Sequence, residues 1–203
     1  MTVPLHRRTR MLGRDADEHH RAATPLELLF DLTFVIAFGT AANELAHAVT
    51  EDHLGAGIVG FCFATFAVSW AWINFSWFAS AFDTDDWIYR LTTMVQMIGV
   101  LVLALGLAEM FASIVEGDHV DNLVMVLGYV IMRVAMVFQW IRAARQDPAR
   151  RSAAMAYITA VLLAQVGWIV LGFAHTSVLV MFVFAAVLVA IELAGPVIAE
   201  HHR

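Results

Sequence analysis

Six apolar stretches, each about as long as a bilayer is thick, take up most of this chain, and nothing else in it constrains the fold as much. They run from Pro25 to Ala48, Leu54 to Ala81, Trp87 to Ile114, Asp121 to Ala143, Ser152 to Phe173 and Thr176 to Ile198. A helix crosses a bilayer with roughly 20 apolar residues. Of the 203 residues, 61% are hydrophobic and 15% charged, whereas soluble domains carry roughly 25% charged residues. The expected fold is therefore all-α. It is a polytopic transmembrane bundle of about six helices over residues 25–198, with a basic arm at 1–24, a short tail at 199–203 and no separate soluble domain.

The arginines orient that bundle. Every basic residue is arginine. Arg7, Arg8, Arg10, Arg14 and Arg21 lie in the arm, and Arg90 follows the second helix. Arg142, Arg145, Arg150 and Arg151 surround the loop after the fourth, and Arg203 ends the chain. If six helices alternate, all of these share one side, and Glu51, Asp52, Glu116, Asp118 and Asp121 lie on the other. Five or seven helices would break the partition. Basic flanks stay cytoplasmic, so both termini are expected inside, at the inner (plasma) membrane. Residues 1–23 lack the apolar core of a signal peptide. Trp77, Trp87 and Trp140 fall near the basic interface, as an aromatic belt does. Trp70, Trp72 and Trp168 lie deeper and read as lipid or packing contacts. The net charge of −6 argues against a nucleic-acid partner, and the single cysteine, Cys62, has no intrachain partner.

Helix boundaries carry their own signals. Thr24-Pro25-Leu26-Glu27 is a capping box with proline at the first helical position. Asp83 or Thr84 is expected to cap the third helix, Asp121 the fourth and Asp147-Pro148 the fifth, while Gly195-Pro196 helps to end the sixth. Ser152, Ala156, Ala160 and Ala164 form a small-residue stripe that permits close helix approach. It reads as internal packing, with a homodimer face as the sharper alternative.

Charges inside a bilayer are costly and tend to face the bundle interior. Glu27 completes the capping box. Asp31, four residues on and on the same face, lies roughly 9 Å into its helix, and Arg133 lies roughly 15 Å from the basic end of the fourth. A guanidinium keeps its proton and needs a partner, and Asp31 is the expected one. Asn74, Gln96, Gln139 and Glu192 fall at similar depth. With Glu27, Asp31 and Arg133 they make a candidate buried polar layer, able to line a water-filled cavity or to join helices. A second group, Asn43, Glu44, His47 and Glu109, lies near the opposite surface. Its spacing fits no metal motif, so solvation at the interface is the reading there. The acidic run Asp83, Asp85 and Asp86 lacks the glycine and oxygen ligands of a calcium loop. No nucleophile elbow, phosphate loop, dinucleotide fingerprint or zinc-protease motif is present. No enzyme, cofactor or metal is expected.

Three stretches together resemble a known family. The run from Thr24 through Glu27 and Asp31 to Val35, the segment from Phe82 to Leu91, and Gly128-Tyr129-Val130-Ile131-Met132-Arg133 are similar, in order, to hallmarks of the bacterial low temperature requirement A family. Glu27, Asp31, Asp83, Asp86, Arg90 and Arg133 match its motif positions. The resemblance implies a polytopic inner-membrane protein of a family named for a cold-growth phenotype, and it implies no substrate. Members are usually about twice as long. This length departure suggests a short member, a half that dimerises or a truncated product. The expected function is a transporter or channel-like protein for a small solute or ion. The alternative is a non-transporting scaffold or envelope factor affecting growth in the cold, or half of a larger assembly.

Overall fold

The structure is a computed structural model that describes residues 9–13, 24–82, 84–117, 119–174 and 176–200, with side chains up to residue 194. Its helices are α1 (Pro25–Thr50), α2 (Leu54–Ala81), α3 (Trp87–Leu105), α4 (Leu107–Glu116), α5 (Leu123–Gln146), α6 (Arg151–Phe173) and α7 (Val178–Glu200), with a short 3-10 turn at Pro148–Arg150. Five spans are long and apolar enough to cross a membrane, with Trp87–Glu116 taken as one, and α7 is apolar over Val178–Ala194.

Local chemistry accounts for several boundaries. The Thr24 hydroxyl accepts from the Glu27 amide, and Glu27 reaches back to the Thr24 amide at 3.2 Å, closing the expected capping box. The Asp147 carboxylate accepts from the Ala149 amide at 3.2 Å and starts the turn into α6. Three expectations are corrected. The cap of α3 is Asp86, whose side chain accepts from the Tyr89 amide at 2.9 Å; Asp83 lies outside the described residues. The cap position of α5 is Asn122, not Asp121. Finally, α7 continues through Gly195-Pro196 to Glu200. The third span also breaks at Gly106, between α3 and α4. A Cβ on Gly106 would lie 2.4 Å from the Met125 amide nitrogen, so α5 presses on the chain where it bends.

Neighbouring helices form a nearly closed ring. α1 packs on α2 and α3, α3 on α5, α5 on α6 and α6 on α7, and the short α4 rests on α2 and α1. α7 returns to α2 where Phe182 meets Phe63 edge-on, ring centres 5.4 Å apart. α3 and α5 meet backbone to backbone at Gly99 and Gly128. The turns before α3 and α6 share one end of the bundle, the arginine end. Glu51, Asp52, Glu116 and Asp121, all exposed, mark the other, acidic end.

The distribution of polarity is the reverse of a soluble protein's. Leu105 and Leu179 are each 75% exposed and Phe173 68%, whereas Thr93 and Gln96 are fully buried. A surface of contiguous leucine, valine and phenylalanine with amides and charges inside is stable only with hydrocarbon outside. Of the small-residue stripe on α6, Ala164 is buried, Ala156 and Ala160 are half-buried and Ser152 is exposed.

Candidate functional site

Arg133 and Tyr129 stand one turn apart on α5, so their side chains share a face. The Arg133 guanidinium lies 4.6 Å from the centre of the Tyr129 ring and donates to its hydroxyl. Its ionic partner is Glu192 of α7, at 3.0 Å, with both side chains buried. This corrects the expected Asp31–Arg133 pair. Three further donors converge on the Glu192 carboxylate. The Tyr129 hydroxyl lies 2.8 and 2.7 Å from its two oxygens, the Trp168 indole N–H donates to Oε1 at 3.0 Å, and the Trp70 indole N–H donates to Oε2. A buried ion pair is tolerable only when hydrogen bonds satisfy its remaining lone pairs, and donors on α2, α5 and α6 do so for Glu192. The site lies roughly 15 Å along α5 from Leu123, near mid-bundle.

Small cavities flank this cluster on both sides. Towards the acidic end, about 30 Å3 lies among Phe63, Phe66, Met125, Asn122 and Trp168. Towards the arginine end, about 10 Å3 lies among Asn74, Arg133, Tyr157, Ala160 and Val161. Trp70 and Glu192 line both, so the cluster is the partition between them. Volumes of this size hold about one or two waters. Beyond the second cavity, an aromatic stack fills the arginine end: Tyr157 lies on Trp140 at 4.5 Å, and Phe78 and Phe82 abut Trp140 edge-on.

The other members of the expected layer separate into two places. Between α3 and α5, Gln96 donates to Gln139 at 2.8 Å, and Gln139 donates to Thr92 at 2.8 Å. This is interhelical glue of the kind amides provide in membranes. Asn74 donates to the Trp70 carbonyl at 2.7 Å and faces the Arg133 cavity. Glu27 serves the α1 cap. Asp31 lies half-buried at the α1–α2 surface, where its carboxylate accepts from the Trp72 indole at 2.7 Å. In the second group, Asn43, His47 and Glu109 are exposed and Glu44 is half-buried. The pairing there is His47 with Glu51, at 3.5 Å.

A second polar site closes the arginine end. Asp86, besides capping α3, holds Arg142 of α5 through both carboxylate oxygens, the Oδ1 contact at 2.9 Å. Arg90 forks onto exposed Asp85 with two 2.8 Å bonds. The segment 9–13 lies across this end as a strap. The Thr9 amide donates to Asp86 at 3.3 Å, and the Thr9 carbonyl accepts from Arg142 at 2.9 Å. The Met11 amide donates to Gln146 at 2.6 Å, and the Gly13 amide donates to Asp147 at 2.9 Å. The Met11 side chain is fully buried.

Burial works to raise the Asp86 carboxyl, but hydrogen bonds from Arg142 and Tyr89 outweigh it and hold the group below its ordinary value. Asp147 is also held low, first by the Gly13 amide, with Arg150 adding to it against some desolvation. Depressed carboxyls contribute stability that is fully present above the ordinary carboxylate value and is lost as pH falls through their lower folded values. The Met11 and Gly13 amides are therefore expected to keep their hydrogen-exchange protection at neutral pH and to lose it on strong acidification. Asp147→Asn should lower the Gly13 protection factor about tenfold at neutral pH, the effect of roughly 1.4 kcal/mol. Unchanged protection would show that the strap is held otherwise.

Sequence reasoning missed Tyr129, Trp70 and Trp168. Tyr129 was signalled by its one-turn spacing from Arg133, and Trp70 by its depth, close to that of Glu192 in the alternating arrangement.

An apolar exterior around a hydrogen-bonded ion pair defines a polytopic helical membrane protein with a charged core. Comparison with known proteins gives the family: the chain belongs to the bacterial low temperature requirement A protein (LtrA) family, whose profile matches residues 22–203. The family resemblance read from the sequence is thereby confirmed. The chain is 27% identical over 192 residues to an uncharacterized protein of Rhizobium meliloti (strain 1021), covering 94% of this chain and 43% of that relative. It thus spans less than half the length of the relative it matches. No solved structure matches it.

Proposed function

We propose that this chain is a transporter or channel-like membrane protein for a small solute or ion, with Glu192 and Arg133 at its centre. The observation that carries this reading is the position of the pair. It partitions two cavities that lie on opposite sides of it along the bundle axis. Ionisable groups held deep in a membrane bundle characteristically mark ion and substrate pathways. The reading treats the chain as a non-enzyme of the inner membrane with both termini in the cytoplasm, following the arginine partition. It transfers the centre of the expected layer from Asp31 to Glu192.

The test is solute flux in proteoliposomes. Glu192→Gln and Arg133→Gln are expected to lower flux at least tenfold in folded protein, while Asp31→Asn leaves it within about twofold, the spread of a residue outside the pathway. Equal flux in all three variants would remove the pair from the pathway. A second reading is favoured by the interhelical Gln96–Gln139–Thr92 bonds and by the complete set of donors on Glu192. In it, the chain is a non-transporting membrane factor whose pair only clamps helices. Growth in the cold rescued equally by wild type and by both Gln variants, with no flux from either, would select it.

A further inference from the structure

We propose that Arg133, Tyr129, Trp70 and Trp168 form a binding site for a small monocarboxylate, of formate or acetate size, which Glu192 occupies as a tethered stand-in. This names a substrate class for the transport reading and rests on that reading only for movement across the membrane. The binding site itself follows from the donors.

All four groups present N–H or O–H towards one point, and they come from α2, α5 and α6. The carboxylate that satisfies them is the one group supplied by α7, whose main packing partner is α6. Withdrawal of that carboxylate would leave two indoles and a phenol without an acceptor for their protons, and a guanidinium without a counter-charge, its remaining partners being the neutral Tyr129 oxygen and the Met136 sulfur. A site of one positive charge is neutralised by a monoanion and overshot by a dianion. Two oxygens are recognised, at 3.0 Å from Trp168 and 3.0 Å from Arg133. A planar carboxylate fills both positions, and a spherical halide fills one. Size sets the upper limit. The flanking cavities, about 30 and 10 Å3, add little more than water-sized room to the space of the Glu192 carboxylate, so a body of one or two carbons fits.

Glu192→Ala removes the stand-in and leaves the donors. Its thermal unfolding in detergent, titrated with sodium formate or acetate against sodium chloride at equal ionic strength, reads the site directly. A saturable rise in Tm of about 3 °C or more is expected at ten times the half-saturating concentration. It should be absent from wild type and from Glu192→Ala combined with Arg133→Gln. An equal rise with chloride, or a rise that persists in the double variant, overturns the proposal. Where Glu192→Ala unfolds on extraction, formate in the extraction buffer is expected to keep it folded. Failure of formate to do so for both Glu192→Ala and Glu192→Ser also overturns it. Uptake of labelled formate or acetate by wild-type proteoliposomes separates the two claims. Rescue without uptake of either anion keeps the binding site and removes its use in transport. Arg133-dependent uptake without rescue keeps transport and removes the stand-in.

Discussion

Glu192→Met is expected to destabilise the bundle by about 3–5 kcal/mol, the cost of leaving one partner of a buried ion pair uncompensated, and by more than Arg133→Met. The asymmetry follows from chemistry. Removal of Glu192 strands the Arg133 guanidinium together with the Trp70, Trp168 and Tyr129 donors that it now accepts from. A guanidinium cannot shed its charge. Removal of Arg133 leaves Glu192 with three donors. The double variant is expected to recover part of the loss, because the stranded charge goes while the three neutral donors still lack an acceptor. Reversible unfolding in mixed micelles would measure all three variants. An Arg133→Met cost equal to or above that of Glu192→Met would contradict the donor count at the site.

The spans, their alternation and the depth of Arg133 were legible in the sequence because each depends on local composition. The partner of Arg133 was not. Asp31 and Glu192 fall at comparable depth, and the choice between them depends on which helix brings its carboxylate to the face of α5 that carries Arg133. Contacts between α7, α6 and α2 decide that, and no local signal records them. Trp70 and Trp168 read as packing because an indole on an apolar helix usually is. Here the rings do pack, and what the sequence conceals is the direction of their N–H groups. Gln96 and Gln139 were placed in one layer with Arg133 by depth alone, yet they face the α3–α5 seam. The strap was invisible for a different reason. Apart from one bond from the Arg10 side chain to the Gln146 carbonyl, its hydrogen bonds use the backbone of Thr9, Met11 and Gly13, which any sequence possesses. Asp86 illustrates the intermediate case: the acidic turn suggested a cap at Asp83 or Thr84, but neither the cap at Asp86 nor its second task of holding Arg142.

Gly128→Ala should be as damaging as loss of a charge, although it adds a single methyl group. A Cβ at Gly128 would lie 2.3 Å from the Leu103 amide nitrogen and 2.6 Å from the Gly99 carbonyl oxygen, and one at Gly99 would lie 2.8 Å from the Gly128 carbonyl oxygen. These neighbours are helix backbone, so no rotamer change relieves the overlap, and α3 and α5 must move apart. Overpacking in a core costs about 1–3 kcal/mol when side chains can give way; a clash against backbone is expected to exceed about 3 kcal/mol. Close approach of small residues is what holds membrane helices together where lipid removes the hydrophobic incentive. The same seam carries the Gln96–Gln139 bond and, at its arginine end, the Asp86–Arg142 pair. Separation of the helices would therefore loosen three interactions at once. Gly39→Ala is the matched control, because nothing lies within 4 Å of a Cβ there. The expected result is a large drop in the unfolding free energy for Gly128→Ala and none for Gly39→Ala. Comparable stability of the two variants would show that α3 and α5 do not meet backbone to backbone.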